Sequence, residues 1–223
     1  MLEKYQLCPF RQQEIDKRTV PLLICWFGVY GGDGGGQVCF GAMDAFQILG
    51  IERRLVVSDE RLREAFREAG KQVHPDAGGG DGEFMKLREA FALLSSPSRR
   101  LRHWLELRGT PGEVRGAIDP TLVDFFGEVG AVTQRAEAVI RKRDEARSAL
   151  VRAMLEGENQ ECREEVEAAI FKVEAMTQRE CEAFFKIEGA SELEVAFASQ
   201  VARNLAFLEK WRGGLRAIFS QLI

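Results

Sequence analysis

The chain has 223 residues, of which 45% are hydrophobic, and this is enough to build the core of one large or two small globular domains. Its 31 basic and 35 acidic side chains give a net charge of -4, so the net charge of the chain does not attract it to nucleic acid or to an anionic membrane. Its longest apolar run, around residues 22–30, is well short of the roughly 18 to 20 residues that span a bilayer. We therefore expect neither a nucleic-acid partner nor a membrane.

The cysteines and histidines do not suggest a metal site. The five cysteines stand singly, without a C-x-x-C pair, and neither His74 nor His103 has a cysteine or a second histidine at metal-binding spacing. The segment before residue 22 lacks the basic start and the cleavage site of a signal peptide. We expect reduced thiols in a cytoplasmic protein that holds no metal ion and no other cofactor.

The first segment, residues 1–42, differs from the rest of the chain. It has neither a helical nor an alternating period, and glycine dominates residues 31–36. We interpret it as a disordered tail, or as an extension upstream of a true translation start at Met43.

After this first segment the apolar residues follow a helical period, and no credible pair of strands appears. A short helix is predicted over residues 45–49 and ends at Gly50. Ser58 is a suitable N-cap for a second helix, which must end before Pro75. The glycine-rich loop that follows, residues 75–82, connects this helix to the next one and so predicts a helical hairpin.

Two further helices complete the first predicted domain. One starts after a cap at Asp81, and the other has Ser96 as its cap and proline at its first position. Gly109 ends the last of these helices. Residues 43–109 are therefore predicted to form one small domain.

A linker over residues 110–118 leads to a second predicted domain, residues 119–223. Its three amphipathic helices are long and their connections are short, which favours an antiparallel bundle. The predicted helices run from Asp119 to Gly157, from Gln160 to Ile187, and onward from a capping box of Ser191 and Glu194. The predicted fold class is all-α, with a hairpin and two short flanking helices followed by a three-helix antiparallel bundle.

The tripeptide His74, Pro75 and Asp76 stands at the tip of the predicted hairpin. Proline fixes its own backbone angle and lacks an amide donor, so the helix ends there and both polar side chains are held outside it. The two side chains could also simply bond the loop at an ordinary helix end. The surrounding order of short helix, basic helix, tripeptide, loop and apolar helix resembles the J-domain over residues 43–107.

This resemblance implies a partner and the face that binds it. In J-domains the tripeptide and the basic face of the preceding helix bind a DnaK-type chaperone and stimulate its ATP hydrolysis. The matching positions here are His74, Pro75, Asp76 and Arg67, with Arg63 and Lys71 added by charge alone. Because Glu64 and Glu68 flank Arg67, an ordinary solvated helix face remains the alternative for that residue.

The bundle narrows the resemblance further. Residues 43–50, the Leu-x-x-x-Gly that ends the first predicted domain and residues 207–210 look like the HscB family, co-chaperones of iron–sulfur cluster assembly. In that family the bundle binds the scaffold protein IscU and delivers it to the chaperone HscA. The resemblance therefore implies a DnaK/HscA-type chaperone and an IscU-type scaffold as partners, with no reaction catalysed by this chain.

The resemblance also implies a scaffold-binding face on the bundle. The matching positions are Phe125, Phe126, Val129, Glu137 and Phe207. Gly130 and Thr133 stand where the family usually has glutamates, so recognition is expected to be mainly apolar. An aromatic stripe at helical spacing is also typical of a core, and that alternative stays open for the first three positions.

Other functions fit the sequence less well. A J-domain protein could deliver a different client in general protein folding. An enzyme that uses His74 and Asp76 with a phosphate-binding loop at residues 78–80 would need a P-loop pattern, which is absent. A purely structural helical adaptor would be unaffected by His74→Gln.

Overall fold

The computed structural model of the chain describes residues 44–73, 81–190 and 192–223. The interpretation of residues 1–42 and the predicted start at Met43 lie outside these residues. Within them the fold is all-helical, as predicted. In chain order the helices are α1 (Ala45–Ile48), α2 (Asp59–Val73), α3 (Asp81–Ser95), α4 (Pro97–Leu107), α5 (Pro120–Glu145), α6 (Ala149–Gly189) and α7 (Val195–Leu222).

Local hydrogen bonds explain where the first helices begin and end. The hydroxyl of Ser58 accepts from the backbone N–H of Arg61 at 3.2 Å, and that of Ser96 accepts from Arg99 at 3.3 Å. Both are the N-caps that the sequence predicts. Gly50 and Gly109 follow α1 and α4 with φ of 64° and 71°, a left-handed conformation that suits glycine.

The boundary between α5 and α6 differs from the prediction. We expected one helix to continue to Gly157, whereas α5 ends at Glu145 and α6 begins at Ala149. Ala146 takes an extended backbone, and the hydroxyl of Ser148 caps α6 by accepting from the N–H of Val151 at 3.2 Å. Gly157 therefore lies inside α6, a helix of 41 residues and about 60 Å in length.

The start of α7 also differs from the prediction. Glu194 was expected in the first turn as part of a capping box, but it precedes the helix and makes no side-chain capping bond. The expected cap, Ser191, lies outside the described residues.

Two hydrophobic cores run through the described helices. The first is built by α1 to α4 together with the end of α6 and the start of α7, whose contributions include Phe184, Ile187 and Leu205. The second lies among α5, α6 and α7 and contains Trp211. Because α6 and α7 contribute to both cores, the first four helices pack directly on the bundle.

A carboxylate of the bundle also caps a helix of the N-terminal region. Glu209 accepts from the backbone N–H of Ser98 at 3.0 Å and from the hydroxyls of Ser96 and Ser98, both at 2.8 Å. These donors lie at the N-terminus of α4, where the first backbone N–H groups have no partner within the helix. Glu209 therefore ties α4 to α7.

The connection between α4 and α5 is held against α7 as well. The hydroxyl of Ser199 accepts from the N–H of Glu113 at 3.1 Å, and Arg203 donates to the carbonyls of Glu113 and Ala117 at 3.0 and 3.1 Å. A Cβ atom at Gly116 would stand 2.8 Å from the Arg203 guanidinium carbon. Gly116 also has a φ of 150°, which L side chains rarely adopt, so glycine suits this position. The hydrogen bonds of Ser199 and Arg203 keep the connection in place.

Candidate binding surfaces

The solvent-facing side of α2 carries the predicted basic residues. Arg63, Arg67 and Lys71 are four residues apart, so they share one face, and all three are exposed. Leu62 and Ala65 on the opposite side are buried in the first core and fix the helix in this orientation. Within the described part of the chain, no carboxylate forms an ion pair with any of the three, so their charges are available to a partner.

The same helix also carries acidic residues. Glu60, Glu64 and Glu68 are exposed, and Glu64 accepts from Arg61 at 3.0 Å. An open hollow on this surface is lined by Glu60, Arg63, Phe66 and Arg67. Phe66 packs against Phe91 of α3 with ring centroids 4.7 Å apart, which joins the two helices of the hairpin.

The tripeptide His74, Pro75 and Asp76 lies outside the described residues. Its place in the chain is nevertheless bounded by two helices, because α2 ends at Val73 and α3 begins at Asp81. The basic row of α2 therefore leads to the segment that contains the tripeptide.

On the bundle, two of the predicted scaffold-binding residues are core residues. Phe125 and Val129 are only 7% and 5% exposed and belong to the second core. The ring of Phe125 meets the edge of Trp211 with centroids 5.8 Å apart. The sequence left open whether these residues form a binding face or part of the core. In the structure Phe125 and Val129 are part of the core, so neither side chain is available to a partner.

The other predicted residues remain accessible. Phe126 and Phe207 are half-buried and both pack near Trp211, with ring centroids 5.9 and 6.2 Å from it. Glu137 is exposed and shares a helix face with Phe126, since the two are eleven residues apart. Val123, which is 53% exposed, lies one turn before Phe126. These four residues are the candidate client surface.

Sequence reasoning missed Trp211 and Glu209. Trp211 follows Phe207 by four residues on α7, and this helical spacing is a signal that could have placed it beside the aromatic pair. Glu209 was recognised only as part of the family likeness in the last helix. Its hydrogen-bond partners Ser96 and Ser98 are more than 100 residues away in the sequence, so no local pattern points to its capping role.

His103 has a structural role in the first core. Its Nε2 accepts from the backbone N–H of Ala45 at 3.1 Å, and its ring stacks on Phe46 with centroids 5.9 Å apart. Burial lowers the pKa of His103, although Asp44 nearby favours the charged form. Across the described ranges, no group of three histidine, cysteine or acidic side chains could hold a metal ion.

Comparison with known proteins identifies the N-terminal helices. The DnaJ domain family matches residues 44–103. The chain therefore contains a region that matches the DnaJ domain. DnaJ from Acetivibrio thermocellus is 37% identical over 67 residues, and DnaJ from Bartonella quintana is 31% identical over 103 residues. Human DnaJ homolog subfamily C member 18 is 41% identical over 61 residues.

The similarity to these relatives is confined to part of each protein. The matched segments cover 28%, 39% and 26% of this chain, but only 17%, 27% and 16% of the three relatives, respectively. Among solved structures, chaperone HscB from Vibrio cholerae aligns with a TM-score of 0.49 and 20% identity, covering 81% of this chain and all of that one. No described helix of this chain is both long and apolar enough to cross a membrane.

Proposed function

We propose that this J-domain protein is a co-chaperone that stimulates the ATPase of a DnaK/HscA-type chaperone. The observation that carries the proposal is the row of Arg63, Arg67 and Lys71, which is exposed and unpaired among the described residues. This row lies on the second helix of the DnaJ domain and leads towards His74, Pro75 and Asp76. A basic helix face of this kind offers charge-assisted contacts to acidic groups of a chaperone.

Stimulation of this kind needs no chemistry on the J-domain protein. A co-chaperone acts by binding the hydrolysis-competent state of its partner more tightly than the other states, and this shifts the population of the partner. The proposed role is therefore that of a binding protein rather than an enzyme. We also propose that the protein acts in the cytoplasm, because its five cysteines stand singly in the sequence and are expected to be reduced thiols.

We further propose that the bundle delivers an IscU-type iron–sulfur scaffold to this chaperone, which would assist cluster assembly and transfer. The family likeness in the sequence motivates the proposal. The accessible residues Phe126, Phe207 and Glu137 support it, because half-buried aromatic rings are typical of a contact surface and Glu137 adds an exposed carboxylate about three turns further along the same helix face as Phe126. Glu209 holds this bundle against the DnaJ domain, so the client and the chaperone would meet one connected body.

A different client is the second candidate. The burial of Phe125 and Val129 favours it, since two of the five positions that match the scaffold-binding residues do not face solvent. A J-domain protein that stimulates the chaperone without any dependence on a scaffold protein would have this second function.

The role of the basic row can be tested by measuring the steady-state ATPase rate of the host's DnaK/HscA-type chaperones with increasing amounts of this protein. Arg67→Ala removes one charge-assisted contact of about 1 kcal/mol, so the half-maximal concentration should rise about fivefold. Arg88→Ala is the matched control, because Arg88 is an exposed arginine that lies on α3 and does not belong to the row. Equal curves for wild type and Arg67→Ala would contradict the assignment of this face.

A further inference from the structure

The exposed face of α2 is balanced in charge. The helix carries four basic and four acidic side chains. Glu60, Glu64 and Glu68 are spaced by four residues, as are Arg63, Arg67 and Lys71, so an acidic row runs beside the basic row. A partner that approaches this face meets both signs of charge.

The three glutamates are not equivalent. Glu64 is committed to Arg61 at 3.0 Å, both side chains being about half exposed. Glu60 forms no ion pair with any described residue, and it lies in the first turn of α2. It also lines the same hollow as Arg63, Phe66 and Arg67. A group of the chaperone that enters this hollow therefore meets one free carboxylate and two free guanidinium groups.

We propose that Glu60 is a specificity-determining residue of the chaperone-binding face. It selects a chaperone that places a basic group opposite Glu60 and acidic groups opposite Arg63 and Arg67. This inference rests on the proposed co-chaperone function and restricts the class of chaperone that can be its partner.

The physical reason is that selectivity is a difference of affinities, which an element that repels the wrong partner increases as well as one that attracts the right one. An entirely acidic docking surface would be attracted by the two arginines but would put a like charge beside Glu60. Like charges in contact weaken a complex, and at an exposed site the effect falls as salt screens it. Glu60 therefore disfavours purely acidic docking surfaces.

The test is the sign of the effect of Glu60→Lys on stimulation of the host's DnaK/HscA-type chaperones. If the chaperone places a basic group opposite Glu60, the lysine is repelled. The half-maximal concentration should then rise about fivefold in 50 mM salt, and by less in 300 mM salt. On a purely acidic docking surface the same substitution would lower the half-maximal concentration.

Two further variants keep the test falsifiable. Glu60→Gln removes the charge but keeps the shape and helix propensity of the side chain, so it should raise the half-maximal concentration by a smaller factor than Glu60→Lys. This variant provides the test if Glu60→Lys does not fold. Glu156→Lys makes the same change of net charge at an exposed position of α6 and should have no effect. Circular dichroism melting checks that each variant is folded.

The outcomes separate this inference from the function on which it rests. If wild type stimulates a chaperone and Glu60→Lys stimulates it equally well or better, the proposed role of Glu60 is wrong. The co-chaperone function would still be supported. An equal loss in Glu156→Lys also overturns the role of Glu60, because the effect would then be one of net charge. If wild type stimulates none of the chaperones, the inference falls together with the proposed function.

Discussion

At the scale of single residues, His103 shows how one protonation state is built into the first core. Its Nε2 can accept from the Ala45 N–H only while that nitrogen carries no proton. The charged groups that face it are Asp44, Glu106 and Arg53, and they partly offset one another. Burial outweighs them and lowers the pKa of His103, so the folded state prefers the neutral ring.

This preference predicts a dependence of stability on pH. Because the pKa is lower in the folded state, the unfolded chain binds more protons once the pH falls below the ordinary histidine pKa of about 6.5. The contribution of His103 to stability should therefore be complete above that pH and decrease as the pH falls towards the folded pKa. The measurement is the free energy of unfolding in urea for wild type and His103→Gln. Their difference should be smaller at pH 5 than at pH 7.5, and an equal difference at both values would refute the assignment.

At the scale of helices, the caps divide into those that the sequence predicts and those that it does not. Ser58, Ser96 and Asp119 each bond an N–H two or three residues ahead, so the local pattern was sufficient. The turn between α5 and α6 was missed because Gly157 was taken as a helix end. A glycine inside a long packed helix costs only about 1 kcal/mol, which tertiary packing readily offsets.

Glu209 is the cap with the largest expected energetic effect. It is half-buried and accepts three hydrogen bonds from Ser96 and Ser98, and bonds to a charged acceptor are stronger than neutral ones. Glu209→Ala should lower the free energy of unfolding by about 2 kcal/mol, measured by chemical denaturation. Glu128→Ala is the control, because its pair with Lys172 is exposed on both sides and should contribute less than about 1 kcal/mol. If the free energy of unfolding of Glu209→Ala were equal to or higher than that of Glu128→Ala, the cap would not contribute to stability.

At the scale of the whole molecule, periodicity was sufficient to predict the helical hairpin and the three-helix bundle. It did not predict that the two would pack against each other. Phe184 and Leu205 read as bundle core from their spacing, yet they contribute to the first core along with Leu94 and Leu101. Periodicity shows that a helix face is apolar and cannot show which helix will cover it. For the same reason the pattern could not separate Phe125, which faces the core, from Phe126, which is half-exposed.

The packing of the first four helices on the bundle suggests how the protein would act. The proposed chaperone-binding face lies on α2 in the first core, and the proposed client surface around Phe126 and Phe207 lies at the second core. The helices α6 and α7 contribute to both cores and so join the two surfaces. A client held on the bundle would therefore arrive with a DnaJ domain already attached to it. The two binding events should reinforce each other in stimulating hydrolysis.

The most direct test of the central claim is the steady-state ATPase rate of the host's DnaK/HscA-type chaperones with this protein, with and without an IscU-type scaffold, comparing wild type with His74→Gln. We expect wild type to stimulate hydrolysis, and the rate with the scaffold to exceed the sum of the separate effects. We expect His74→Gln to lose this stimulation. Stimulation that does not depend on the scaffold would select a different client. Equal rates for wild type and His74→Gln, or no stimulation at all, would contradict the claim that this chain is a co-chaperone.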